Sequence, residues 1–210
     1  MSKHKISSLI IVIIFCLLIL SSCNVNSPNI SDSLIDDLYS NGYIIHADMG
    51  NHGLHEDNHV FYEVTFETAL YMMKQGETVL IYFGFGDCPW CQVALPILHE
   101  STIETGVNRV LYVNRRSSAI WNESEPMKIS DSEQTMIDFL SPHMELMTND
   151  DGITRIFVPE VILWNGSTVL SNHRGTLENH NGVDELTEQE RHELKSIYSN
   201  MFQAYLEMNN

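Results

Sequence analysis

Thr78-Val79-Leu80-Ile81-Tyr82-Phe83-Gly84-Phe85-Gly86-Asp87-Cys88-Pro89-Trp90-Cys91 is the stretch from which the fold is read. Its first six residues are almost wholly apolar and β-prone, the composition of a central strand covered on both faces. Gly84 to Asp87 break that strand and deliver Cys88 to the start of a helix, which continues through Val93, Ala94, Leu95, Ile97 and Leu98. Pro89 suits a first helical turn, where a missing N–H costs little. Pro96 lies inside the helix, removes one backbone hydrogen bond and kinks it. The chain has four cysteines. Cys16 and Cys23 belong to the N-terminal segment, leaving Cys88 and Cys91, the smallest unit able to cycle between dithiol and disulfide.

Working outward, Val60 to Val64 alternates as a strand does, and Thr65 is placed to cap a helix carrying Phe66, Ala69, Leu70 and Met73, ended by Gly76. Beyond the cysteines, Val107 to Asn114 supplies another apolar strand, so strand, helix, strand gives a parallel βαβ unit with a right-handed crossover. Residues 115–151 read as an insertion, in which Ser130 and Glu133 have capping-box spacing and Met136, Ile137, Leu140 and Met144 predict a helix limited by Pro142. The chain rejoins the sheet over Ile156 to Trp164, and Asn165-Gly166 turns it antiparallel into Thr168-Val169-Leu170. Thr187 and Glu190 form a second capping box, opening a helix with Leu194, Ile197, Tyr198, Met201, Phe202, Tyr205 and Leu206 on one stripe. The expectation is an α/β fold, a central mixed β-sheet flanked by helices, with a helical insertion between its βαβ and ββα halves.

The N-terminus carries Lys3 and Lys5 and then an apolar run from Ile6 to Leu20, the layout of an export signal over residues 1–22. Leu20-Ser21-Ser22-Cys23 resembles the bacterial lipobox, which implies lipidation of Cys23 and attachment to the outer face of a bacterial cell membrane. Residues 23–58 read as a tether and an irregular His- and Asp-rich lead-in with a short amphipathic stretch at Leu34, Ile35 and Leu38, and residues 59–210 as one domain. The formal net charge is −17, and cleavage would remove Lys3 and Lys5 as well. Such a surface repels nucleic acid and anionic headgroups, so membrane attachment would depend on acyl chains.

The order of elements, the Cys-x-x-Cys pair, Pro96 five residues after Cys91 and the Val158-Pro159 strand together resemble the thioredoxin family over about residues 60–208. The resemblance implies the thioredoxin fold, a cis-proline at Pro159 facing the cysteines, and thiol–disulfide oxidoreductase activity without a cofactor. The Gly-containing link before the motif and Val158-Pro159-Glu160-Val161-Ile162-Leu163 further resemble the small thioredoxin-like bacteriocin transport accessory proteins. Two positions depart from the family. Tyr82 stands where thioredoxins carry a buried acid six residues before the first cysteine, and Asp87 replaces the usual tryptophan before it. These departures point to a specialised partner.

Thiol exchange needs a thiolate, and an ordinary cysteine, with a pKa of about 8.5, is mostly protonated at neutral pH. The N–H groups and dipole of a helix N-terminus favour the anion at Cys88, the expected attacking thiol. Cys91, one turn further in, would resolve the mixed disulfide. Asp87 works against the thiolate, Pro89 shapes the first turn, and Trp90 is either a partner-facing surface or a packed lid. A cis peptide at Val158-Pro159 would free the Val158 backbone to pair with an extended substrate. The expected partners are thiols or disulfides of exported proteins or peptides and an extracytoplasmic redox partner.

Two other functions remain open on the sequence. One is a non-catalytic accessory or chaperone-like module of an export system, with Cys88–Cys91 as a structural staple. The other is metal binding through His46, His52, His55 and His59 with Asp48, Glu56 and Asp57, although their spacing matches no fixed coordination geometry. A metal site on Cys88 and Cys91 completed by His99 or His173 is weaker still. The methionines at 72, 73, 136, 144 and 147 read as packing, Arg115-Arg116 as a solvated strand end, and His192 as surface.

Overall fold

The structure is a computed structural model that describes residues 30–55, 58–116, 129–182 and 184–209. The export signal, Cys23, the start of the tether and the acidic pair Glu56-Asp57 lie outside the described residues. Internal contacts divide the chain after Asp37. A helix over Ile30–Ser40 (α1) runs through that point where the sequence suggested only a short amphipathic stretch. The packing described below concerns Leu38 onward.

The fold is α/β, built on a six-stranded mixed sheet in the order β1-β2-β4-β3-β7-β8. Its strands are Ile45–His46 (β1), Phe61–Val64 (β2), Thr78–Gly84 (β3), Val110–Asn114 (β4), Glu160–Asn165 (β7) and Val169–Arg174 (β8). The numbering leaves β5 (Met147–Thr148) and β6 (Thr154–Arg155) for a separate two-stranded ribbon. β3 is central, parallel to β4 on one side and antiparallel to β7 on the other. This placement explains its composition, since all its residues after Thr78 are buried.

Successive β3 side chains go to opposite faces. Leu80 and Tyr82 join a core with Phe61, Tyr112, Val161 and Leu163, closed by Leu95 and Leu98 of helix α3 (Pro89–Thr105) and by Leu194, Tyr198 and Phe202 of helix α5 (Glu188–Met208). Phe83 stacks on Phe66 of helix α2 (Phe66–Lys74), ring centroids 5.8 Å apart, on the other face. Trp164 meets Phe139 of helix α4 (Asp131–Leu140) at 5.2 Å. Burying each of these large side chains contributes about 1.5–3 kcal/mol, which is what holds α3 against the sheet despite Pro96.

The helix starts follow their caps. Thr65 Oγ1 accepts the Thr68 N–H at 3.2 Å. At Thr187 both halves of the capping box form, with Oγ1 accepting from Glu190 N and the Glu190 carboxylate accepting from Thr187 N. Ser130 makes only half of its expected box. Its Oγ accepts from Glu133 N, but the Glu133 carboxylate turns inward to take the Arg115 Nε–H at 2.8 Å. Burial decides this, because the Glu133 side chain is sealed from solvent and a sealed carboxylate needs a cationic partner.

Further sequence expectations require correction. The strand read from Ile156 begins only at Glu160, because Val158-Pro159 is a cis peptide outside the ladder. Met144 lies past the end of α4, and Met147 is exposed on β5 rather than packed. Of Arg115-Arg116, read as a solvated strand end, Arg116 is exposed and pairs with Asp87, whereas Arg115 is largely covered and pairs with Glu133. The segment read as irregular lead-in supplies edge strand β1 and buries Ile44, Ala47, Met49 and Leu54. Among the described residues, no helix is long and apolar enough to cross a membrane.

Candidate active site

β3 ends in Gly84, and this glycine shapes what lies beneath the cysteines. The Tyr82 ring folds along the strand over Gly84, where a Cβ would stand 2.5 Å from Tyr82 Oη. Any side chain there would turn the phenol away. Gly86 answers the same need on the outer side, because a Cβ would meet Asn51 Cβ at 2.9 Å and Asn51 O at 3.0 Å. The link between strand and helix therefore packs against the turn Gly50–His52. Gln92 clamps the link by donating Nε2–H to Gly86 O at 2.8 Å.

Cys88 is the N-cap residue of α3, and its Sγ accepts the Cys91 N–H at 3.3 Å. Pro89 occupies the first turn. The Cys91 side chain and the Cys91 and Trp90 N–H groups hold the Cys88 thiol below its ordinary pKa, opposed by burial and by Asp87. Cys91 is pushed strongly the other way, first by burial and then by the competing claim of Cys88 on the negative charge. Both are free thiols. The pair is thus asymmetric, one sulfur inclined to the anion at the helix N-cap and its neighbour, in the first turn, held protonated by burial and by that anion.

Val158 and Pro159 come to the same place from a distant part of the chain. Val158 O lies 4.0 Å from Cys88 Sγ, so the cis peptide faces the Cys88 thiol. Directly behind it, Glu160 is buried and accepts from Asn172 Nδ2 at 2.8 Å and Arg174 Nε at 2.7 Å. Gly175 N donates to Pro159 O at 2.8 Å, which fixes the segment against the end of β8.

Trp90 is 42% exposed, whereas Cys88 is only 2% exposed. The indole packs on Gly182 so closely that a Cβ at Gly182 would overlap it. Gly182 has a positive φ of 74°, and its N–H donates to His180 Nδ1 at 3.0 Å. Trp90 therefore has one part seated on a loop and another presented to solvent. Asp87 points outward and is paired with Arg116, whose guanidinium lies 4.2 Å above the Phe85 ring.

A cavity of about 410 Å³ opens beside this link, bordered by Asn51, His52, Asp87, Gln92, Asn114 and Arg116. His52 is buried and shares a 2.9 Å hydrogen bond through Nε2 with Tyr112 Oη. The Tyr112 ring stacks on Tyr82, centroids 5.7 Å apart. Burial raises the pKa of both phenols, so both stay protonated. Sequence reasoning missed these partners because His52 and Tyr112 are separated by sixty residues. Gly182 was missed too, since nothing local in the sequence signals its contact with Trp90.

The other histidines lie away from the cysteines, and several are hydrogen-bonded there. His46 Nε2 bonds His59 O at 2.9 Å, and His59 Nδ1 accepts the Phe61 N–H at 3.3 Å. A second cavity, about 400 Å³, is bordered by His46, Asp48, His55 and His59. Among the described residues, no three His, Cys, Asp or Glu side chains converge as metal ligands would. His173 is half-buried and bonds Thr176 O at 2.6 Å. His192 is exposed on α5.

No protein-family model matches this chain, and no curated protein sequence matches it.

Proposed function

We propose that this protein is a thiol–disulfide oxidoreductase of thioredoxin-like fold, anchored through a lipidated Cys23 outside the cytoplasm of a bacterium and acting on exported proteins or peptides. The observation that carries the reading is the asymmetry of the pair, a Cys88 thiol held below its ordinary pKa at a helix N-terminus beside a Cys91 thiol held above it. A structural disulfide needs no such difference, whereas exchange chemistry does. The position of Val158-Pro159 against Cys88 supports the same reading, as does the order of strands and helices around it.

In this mechanism the Cys88 thiolate attacks one sulfur of a substrate disulfide. A bond forms between Cys88 and that sulfur, and the other substrate sulfur leaves as a thiolate that takes up a proton. Cys91 then loses its proton and attacks Cys88 Sγ, releasing the second substrate thiol and leaving Cys88–Cys91 oxidised. In the opposite direction the same steps run in reverse, and substrate dithiols are oxidised. The extended substrate lies along Val158, pairing with its backbone.

Replacing Cys91 with Ser, in the full-length chain presented with a peptide disulfide, should accumulate a mixed disulfide on Cys88, and replacing Cys88 with Ser should abolish it. The near-complete burial of Cys88 favours a second reading, a non-catalytic accessory module of an export system. Absence of any mixed disulfide in the Cys91→Ser chain, with biological function retained in the double Cys→Ser chain, would establish that reading instead.

A further inference from the structure

The Val158-Pro159 peptide and the Trp90 indole come from distant parts of the chain, and residues 175–182 join them. At one end of this loop Gly175 N donates to Pro159 O at 2.8 Å. At the other end Gly182 lies so close under the indole that a Cβ on it would overlap Trp90 Nε1 and Cδ1. Between the ends Thr176 is buried, and its carbonyl accepts from His173 Nε2 at 2.6 Å, which pins the first part of the loop to β8.

His180 carries the connection across the loop. Its Nδ1 accepts the Gly182 N–H at 3.0 Å and lies 3.0 Å from Thr176 Oγ1. A backbone N–H can only donate, so Nδ1 bears no proton, and the Thr176 hydroxyl donates to it as well. The backbone N–H of His180 donates to Leu177 O at 3.0 Å, which fixes the ring's point of attachment. One side chain thus ties the glycine under Trp90 to the buried threonine beside the Pro159 clamp. Gly182 has a φ of 74° and no side chain of its own to pack, so the bond to His180 is what holds this backbone in place.

We infer that His180 is a positioning residue for the substrate. Through Thr176 and Gly182 it holds the Trp90 indole at a fixed place relative to the Val158-Pro159 peptide, so that an extended peptide laid along Val158 meets the exposed part of the indole as its disulfide reaches Cys88. The inference rests on the oxidoreductase reading and names a residue that determines which disulfides that site takes. An indole held in place is ready for the peptide, whereas a loose one must be ordered at each encounter, which costs affinity. His180 touches neither sulfur, and Cys88 Sγ takes its hydrogen bond from the first turn of α3. Its effect therefore falls on capture of a peptide and not on the reactivity of the thiol.

The test compares two disulfides in the full-length Cys91→Ser chain, a disulfide-bonded peptide and the small bis(hydroxyethyl) disulfide, which is too short to span from Val158 to the indole. With either, the Cys88 thiolate bonds to one sulfur, the S–S bond breaks, and the other sulfur leaves as a thiolate that takes a proton from solvent. The readout is the ratio of the two second-order rates of mixed-disulfide formation. His180→Leu removes the acceptor and should lower the ratio about fivefold, the equivalent of one lost hydrogen bond, by slowing the peptide alone. His180→Asn, whose Oδ1 accepts in place of Nδ1, should restore the ratio. Gly182→Ala pushes the indole off its seat and should match His180→Leu. In a Trp90→Ala background His180→Leu should add nothing, because the group it positions is gone. An equal effect of His180→Leu with and without Trp90, or an unchanged ratio in both His180→Leu and Gly182→Ala, would overturn the role of His180 while leaving the oxidoreductase reading intact. A Cys91→Ser chain whose Cys88 is alkylated but forms a mixed disulfide with neither compound would overturn both.

Discussion

Arg116 sets its guanidinium against the Asp87 carboxylate and lies 4.2 Å over the Phe85 ring, so the charge of the residue before Cys88 is offset from the end of β4. Asp87 acts on Cys88 by disfavouring its anion. Arg116 opposes that effect without touching the sulfur. Both side chains are substantially exposed, which limits the interaction to the ~0.2–1 kcal/mol of surface ion pairs.

Arg116→Gln should therefore raise the pKa of Cys88, by no more than about 0.7 unit on that scale, and Asp87→Asn should lower it. In the double variant the effect of Arg116→Gln should shrink, because the charge it offset is gone. The rate of Cys88 alkylation against pH in the four chains measures this. Equal effects of Arg116→Gln with and without Asp87 would show that the pair does not tune the thiol.

Removing Arg174 should destabilise the fold by up to about 3 kcal/mol, because it leaves the buried Glu160 carboxylate with Asn172 as its remaining partner. Burial already raises the Glu160 pKa above its ordinary value of 4.5, and losing Arg174 raises it further. A folded-state pKa above the unfolded value means that stability falls as pH rises through it. The defect of Arg174→Met should accordingly be largest at neutral pH and smaller toward pH 4. Urea denaturation across that range would show it, and a defect that grows on acidification would contradict it.

His173 is held neutral by burial, with its ordinary pKa of 6.5 lowered in the fold. Below about pH 6.5 the unfolded chain takes up a proton that folded His173 resists, so this contribution to stability is lost as pH falls through that value. His173→Gln should flatten the pH dependence of the thermal midpoint between roughly pH 7.5 and pH 5.5, leaving the part due to His52. An unchanged slope would mean that His173 is not buried neutral.

Thr187→Ala removes an N-cap in which hydroxyl and Glu190 carboxylate each satisfy a backbone N–H of α5. The expected cost is ~0.5–2 kcal/mol, read from the urea midpoint. Cys88 reactivity should not move, since α5 acts on the cysteines only through the core that Tyr198 and Phe202 share with Leu95 and Tyr82.

The elements legible in the sequence were those whose signal is local. The apolar run of β3, the caps at Thr65 and Thr187, and the turn at Asn165-Gly166 each lie within a few residues of the structure they specify. Cys88 at a helix start was legible for the same reason. What escaped was set by tertiary contact. Glu133 left its capping box because Arg115 approached from β4, and Trp90 found its seat on Gly182 from a loop ninety residues on. His52 read as one histidine of a polar loop until the fold put Tyr112 against it. No periodicity or spacing encodes such pairs, since both partners are ordinary residues in their own segments.

Reversible exchange between Cys88 and Cys91 is read directly by equilibrating the full-length chain in glutathione redox buffers and trapping both thiols by alkylation. One two-electron transition between dithiol and Cys88–Cys91 disulfide is expected, at a potential between the roughly −120 mV of strong oxidants and the roughly −270 mV of thioredoxin. A pair that stays in one state across every buffer would contradict it.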